Sequence, residues 1–375
     1  MWGYHARKLS TLPQELLDFL ECEEKVQASS QALLTTRSRS SSFNSQDVPR
    51  RMTGLHLVAH FGLEEAIKAL LSRQSLRLDS YGRTPLWYAT ENGHEAVVEL
   101  LLANYDVNIK NSDGWTPLWW AARIGHTMVV QLLLAKDEVD INAKDANGWI
   151  PLLHAVKHRN MAVIQMLLNK DDVDINARDD HGLSPLLYAA EIGDDAVLQV
   201  LLDKNGVNIN SQDNERRTPL LCAAANGHKA VVQLVLSKHG VNVDTRDEYG
   251  GTPLLYAAAM GHKAVMQLLL THGSVDINTT YNDGRTPLLL AAGNGHEAVV
   301  QLLLAKKEVN INAEDDNGWT PLLWAAHNGD IAVVQLLLAE DGIDVRAEDN
   351  GGGTALSYAA MNNYWEIVEL LQDEW

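Results

Sequence analysis

From about residue 49 onward, apolar positions come in pairs of short stripes. The first stripe of a pair is compact, as in Leu254-Leu255-Tyr256-Ala257-Ala258. The second recurs at helical spacing, as in Ala264-Val265-Met266-Gln267-Leu268-Leu269-Leu270, with Gln267 on the polar side. Gly261 stands between them, where a helix C-terminus favours a residue without a Cβ. The pattern predicts two short helices per unit. The alanines of the first helix let a neighbouring helix approach closely. No single pair can bury its own apolar stripe, so the pairs must stack.

A tripeptide marks the start of each pair: Thr84-Pro85-Leu86, Thr116-Pro117-Leu118, Ile150-Pro151-Leu152, Ser184-Pro185-Leu186, Thr218-Pro219-Leu220, Thr252-Pro253-Leu254, Thr286-Pro287-Leu288 and Thr320-Pro321-Leu322. Degenerate copies flank the series at Thr53-Gly54-Leu55 and Thr354-Ala355-Leu356. The steps between copies are 31, 32 and then 34 seven times. Thr or Ser is a helix N-cap, and Pro suits the first helical position, where its missing N–H is harmless. Turn dipeptides precede the tripeptides, as in Asp113-Gly114, Asn147-Gly148, Asp283-Gly284 and Asn317-Gly318. Asn-Gly and Asp-Gly supply the positive φ angles of a tight hairpin.

A 34-residue period also fits tetratricopeptide repeats, but those lack a hairpin. The tripeptide, hairpin and helix pair resemble ankyrin repeats over residues 49–375. The fold class implied is an all-α solenoid of about ten repeats with short β-hairpin turns. Two departures stand out. The family's Thr-Pro-Leu-His tetrapeptide carries a His that braces neighbouring loops, and only His56 keeps it; Trp87, Trp119 and a series of leucines hold that position elsewhere. Arg216 replaces a hairpin glycine, which leaves that tip's geometry open.

Residues 1–48 do not follow the repeat. Thr11-Leu12-Pro13-Gln14 reads as a helix start, and an amphipathic helix is expected from Pro13 to about Ala28. That gives an N-terminal helical segment, 1–30, a disordered Ser-rich linker, 31–48, and the array, 49–375. Through Trp2–Lys8 and Arg51–Leu57, the stretch from Trp2 to Leu71 resembles the segment preceding the ankyrin array in fungal NACHT–ankyrin receptors. The resemblance implies the sensing array of a fungal immune-type receptor, or a stand-alone derivative. No Gly-x-x-x-x-Gly-Lys phosphate loop occurs.

Composition narrows the partners. The net charge is −19, and the chain from residue 53 carries 23 basic against 43 acidic residues. Phosphate-backbone binding needs Lys and Arg, so direct nucleic-acid binding is not expected. The acidity serves solubility first and suits a protein partner with a basic surface second. Two distant cysteines and no apolar leader point to the cytoplasm, with the nucleus as alternative. No apolar run approaches a membrane span, and a monomer is expected.

Catalytic, cofactor and metal sites are not expected. His94, His126, His228, His262 and His296 recur once per repeat, which spaces them on the order of 10 Å apart; zinc ligands must lie about 2 Å from one ion. Gly293-Asn294-Gly295-His296 follows a helix rather than a strand, so it lacks the context of a dinucleotide fingerprint.

The ankyrin resemblance places partners on hairpin tips and on the exposed side of first helices. The residue before each cap reads Arg83, Trp115, Trp149, Leu183, Arg217, Gly251, Arg285, Trp319, Gly353. First-helix ends add Arg123, Ile124, Ile192 and Met260. Side chains at the hairpin position are expected to be free of the core, with Trp115, Trp149 and Leu183 the densest part of the site. Each Trp can instead lie flat on its surroundings and contribute only stability. Trp87, Trp119, Trp120 and Trp324 fall at first-helix positions and read as core. The functional expectation is a protein-interaction scaffold; a transcriptional co-regulator is the rival within the binding class.

Overall fold

The computed structural model describes residues 13–37, 49–74, 77–272 and 275–374. Among them are 22 helices and one isolated bridge, Glu348 to Thr354. The fold class is the all-α repeat solenoid, with hairpins too short to count as strands. Two compact units divide the chain, Met1–Asp180 and His181–Trp375. The first holds an N-terminal helix pair and four repeats, the second six repeats. Among the described residues no helix is long and apolar enough to cross a membrane.

Each repeat is built as its tripeptide dictates. Thr84 Oγ1 accepts the Trp87 N–H at 3.1 Å, and Thr116 Oγ1 that of Trp119 at 3.2 Å. Ile150 has no oxygen to offer, so helix Pro151–Lys157 starts without a side-chain cap. In the hairpin, the Asp79 N–H donates to the Arg83 carbonyl at 3.0 Å and the Gly82 N–H to the Asp79 carbonyl at 3.1 Å. That is a three-residue loop, which needs one left-handed residue rather than two. Accordingly, Gly114 (φ 80°) and Gly148 (φ 77°) are left-handed while Asp113 and Asn147 are not, a correction to the dipeptide reading. Arg216 takes the same place with φ 65° and makes the same bond, its N–H to the Asp213 carbonyl at 3.1 Å. The tip geometry therefore survives the missing glycine, at a strain of about 1–2 kcal/mol.

Successive tips are stitched by backbone bonds, as from Ser112 N–H to the Tyr81 carbonyl at 2.8 Å and from Asn282 N–H to the Tyr249 carbonyl at 3.2 Å. Asparagines stitch the far loops. Asn142 accepts the Asp174 N–H at 2.8 Å and donates to the Asp172 carbonyl at 2.7 Å. The recurrent histidines brace the inner loops. Nε2–H of His126 donates to the Glu91 carbonyl at 3.1 Å, that of His262 to Ala225 at 3.1 Å and that of His296 to Ala259 at 2.9 Å. His56 braces as its motif implies: Nδ1 accepts the Thr53 N–H at 3.0 Å and Nε2–H donates to the Arg83 carbonyl at 3.1 Å. Burial pushes its pKa down to about 4, so it is neutral.

The N-terminal segment differs from the expected single helix. Two helices form, α1 (Gln14–Glu21) and α2 (Glu23–Arg37), broken at Cys22 (φ −87°, ψ 100°). Helix α2 runs past residue 31, where the linker was expected to begin; residues 38–48 of that linker, like Trp2–Lys8, lie outside the described residues. The break lets Leu17, Leu20 and Val26 all bury, at 7%, 1% and 0% exposure. Both helices pack on the first helix of the array, α3 (Gly54–Phe61). Ion pairs Arg73–Glu21 (3.1 Å) and Arg77–Glu23 (2.7 Å) flank the contact. The degenerate tripeptide now has a reason. A Cβ at Gly54 would lie 2.2 Å from the Leu20 carbonyl oxygen, so no side chain fits where eight of the other repeats carry Pro and the last carries Ala355.

Candidate functional site

In the first unit, hairpins and first helices bring cations and aromatic rings into one row. Arg83 lies over Tyr81, Trp87 and Tyr88, at 4.8, 4.9 and 4.9 Å from the ring centroids. Trp87 meets Trp120 at 5.0 Å. Trp115 stacks on Trp119 at 4.6 Å, 5° from parallel, and on Trp120 at 5.2 Å. His154 sits between Trp119 at 3.9 Å and Trp149 at 4.7 Å. Arg123 lies 5.0 Å from the Trp120 centroid, and Lys157 Nζ lies 4.4 Å from that of Trp149. Four neighbouring elements thus present Arg, Trp, Trp and Lys side by side, with buried rings beneath.

Trp87, Trp119 and Trp120 are core residues, as their helix positions imply, at 3%, 2% and 7% exposure. Their indole N–H groups have no hydrogen-bond partner among the described residues. Trp115 and Trp149, expected to be free of the core, are half-buried. The reason is that each indole meets a ring on the following helix, Trp115 stacking on Trp119 and Trp149 leaning on His154 at a tilt of 40°. The hairpin tryptophans therefore anchor the hairpin while staying partly exposed. His154 has its pKa pushed down to about 2, first by burial and then by Arg123, His158 and Lys157. Its Nε2 lies 3.5 Å from Asp145 Oδ2.

The hairpins carry a motif that the sequence reading missed. A buried Asp opens most of them, and its Oδ1 accepts two backbone N–H groups of the turn; Asp79 takes those of Tyr81 at 2.8 Å and Arg83 at 2.9 Å. In four of these hairpins its Oδ2 accepts from a first-helix ring nine residues on, whereas Asp213 Oδ2 accepts from Arg217 at 2.7 Å. Tyr88 Oη donates to Asp79 at 2.7 Å, Tyr256 Oη to Asp247 at 2.6 Å and Trp324 Nε1 to Asp315 at 3.1 Å; Tyr358 Oη does the same to Asp349. An Asp followed at nine residues by Tyr or Trp was visible, but it belongs to neither helical nor strand period.

The hairpin arginines, Arg83 of the row included, are already paired. Arg83, Arg217 and Arg285 are held by carboxylates of their own hairpins, Asp79 (2.9 Å), Asp213 (2.7 Å) and Asp283 (2.7 Å). Leu183 belongs to the second unit, so the expected row Trp115, Trp149, Leu183 divides between units. Leu183 and Ile192 are half-buried, whereas Ile124 and Met260 are exposed, at 42% and 55%. Trp319 packs among Trp324 (4.8 Å), His327 (5.1 Å) and Tyr358 (4.7 Å). Trp324, read as core, is half-buried instead, and its indole N–H serves the Asp315 carboxylate. Burial pushes the Cys222 thiol up to about 12, so it is no nucleophile at neutral pH.

A family model described as ankyrin repeats (3 copies) matches residues 27–111, 97–179, 172–247, 239–315, 272–349 and 307–374. No curated protein matches the chain, so the likeness to fungal NACHT–ankyrin receptors gains no support from a relative.

Proposed function

This chain belongs to the ankyrin-repeat family, and on that premise we propose that it is a protein-interaction scaffold whose main partner site is the aromatic row of the first unit. The observation that carries the reading is the row itself: Arg83 lies over Trp87, Trp115 and Arg123 both meet Trp120, and Lys157 lies over Trp149, at ring contacts of 4.4–5.2 Å. Trp and Arg are the residues most enriched at binding hot spots. A half-buried indole on a flat aromatic floor loses little conformational freedom when a partner covers it.

The test uses the chain as bait beside a variant with Trp115→Ala and Trp149→Ala, helicity checked by circular dichroism. A partner retained by the first and lost by the second supports the site, because truncating a hot-spot aromatic costs about 2 kcal/mol or more. A partner retained equally by both overturns it. The pathway is a finer matter. A cytoplasmic receptor-type array follows from the N-terminal likeness, and a transcriptional co-regulator from the binding class alone. A tagged chain that enters the nucleus in some growth state, and there recovers transcription factors, decides for the second.

A further inference from the structure

The far loops carry a ladder of side-chain bonds with one odd rung. Asn108, Asn142, Asn210, Asn278 and Asn312 each accept the N–H thirty-two residues on, at 2.7–2.9 Å. Each also donates to the carbonyl thirty residues on, at 2.6–2.8 Å. An amide side chain serves both bonds because it is donor and acceptor at once. Asp244 stands in the same register, thirty-four residues from Asn210 and from Asn278. Its backbone keeps the local pattern, with the N–H donated to Asn242 Oδ1 at 3.2 Å. Its side chain does not: Oδ1 is buried and has no hydrogen-bond partner among the described residues. An ionised carboxylate has no donor to give. It also meets a like charge. The residue thirty-two on is Asp276, so of these six rungs this one alone sets acid against acid.

We propose that this rung, between the loops that follow helices Lys229–Leu236 and Lys263–Thr271, is a pH-sensitive seam: a proton taken up by Asp244 gives its side chain both the donor and the acceptor of an asparagine, and the rung is made. At neutral pH the rung is unmade, and weak acid stiffens this joint of the array. Both loops belong to the second unit. The physical basis is the pairing of two carboxylates, which favours one proton between them. Burial first and Asp276 second hold the Asp244 carboxyl above the usual carboxylate range. Arg246 and His272 act the other way, and less. The Arg246 guanidinium is engaged elsewhere, donating to the Gly250 carbonyl and the Thr279 hydroxyl, each at 3.0 Å. Asp244 therefore holds its proton more tightly in the folded chain than in the unfolded one. The stability that this adds grows as pH falls through the folded range of Asp244 and is absent at neutral pH.

Hydrogen exchange by mass spectrometry on the full chain, corrected for intrinsic exchange, follows residues 242–247 and 275–280 from about pH 7 down to about pH 4.5. Protection of these amides in the native chain is expected to rise as pH falls. Asp244→Asn places at this rung the residue that makes it at five others, so the variant folds and makes the rung at every pH. Near pH 7 its amides should be about 5- to 10-fold better protected than the native ones, the worth of one hydrogen bond, and the gap should close in acid. A variant no better protected near pH 7 overturns the proposal, as does a gap of equal size at every pH. His272 titrates nearby, and a pH dependence that persists in Asp244→Asn belongs to it and overturns the proposal too. Asp276→Asn removes the opposing charge while keeping Asp244. It should move the rise in protection to lower pH, and an unmoved curve contradicts the acid pair as its cause.

Discussion

Gly54→Ala tests how the N-terminal helices are held. On propensity alone Ala should stabilise this first helical turn, by about 0.5–1 kcal/mol. The geometry gives the opposite sign. An ideal Cβ at residue 54 lies 2.2 Å from the Leu20 carbonyl oxygen and 3.0 Å from its carbon, backbone atoms that no rotamer change can move. Helix α1 must shift or undock. A shift of a packed element against overfilling costs about 1–3 kcal/mol. Full undocking exposes Leu17, Leu20 and Val26, at about 1.5–3 kcal/mol each as an upper bound, so the shift is the cheaper response. Docking of α1 and α2 is then weakened roughly 5- to 150-fold. Hydrogen exchange by mass spectrometry reads this directly: amides of residues 14–37 exchange faster by that factor, and those of the hairpins at 111–124 do not change. Unaltered protection of 14–37, or a more stable protein, refutes the close-approach argument.

Arg216→Gly relieves a left-handed arginine on an exposed tip and should raise stability by about 1 kcal/mol, read as a higher urea midpoint with unchanged slope. His56 is neutral in the fold, with its pKa lowered from 6.5 to about 4, so the unfolded chain binds the extra proton between those values. Its contribution is complete above about pH 6.5 and is lost as pH falls toward 4, about 3 kcal/mol in all; a His56→Gln variant should show a correspondingly flatter acid limb in urea titrations. Tyr256→Phe removes the donor to the buried Asp247 carboxylate at 2.6 Å and should cost about 1–3 kcal/mol, with a loss below about 0.3 kcal/mol arguing against the Asp–Tyr motif as a hairpin clamp.

The backbone of this fold was written in short-range chemistry. Thr or Ser, then Pro, then an apolar stripe fixes each helix start, and Thr84, Ser184 and Thr320 cap as their identity requires. What the pattern could not show were contacts set by approach in space. Gly54 reads as a degraded motif until Leu20 is seen against it. Cys22 marks no turn in sequence, yet the chain breaks there to bring α1 and α2 onto one repeat. The binding candidates suffered the same limit. Arginine at the hairpin position looks available, but Arg83 and Arg217 are tied to the Asp four residues before them. Tryptophan there looks exposed, but Trp115 finds Trp119, four residues on, to lie on. The spacing of four is a helical one, but Asp79, Arg83, Asp213, Arg217 and Trp115 lie in hairpins rather than helices, so no helical face in the sequence announced these contacts.

Hydrogen exchange of the full chain with and without its captured partner tests the central claim most directly. The account predicts new protection confined to residues 79–92, 111–124 and 145–158, the hairpins and first helices that carry Arg83, Trp115, Arg123, Trp149 and Lys157. Protection that falls instead on the second helices Thr127–Leu134 and Met161–Leu168, or only on the second unit, contradicts it.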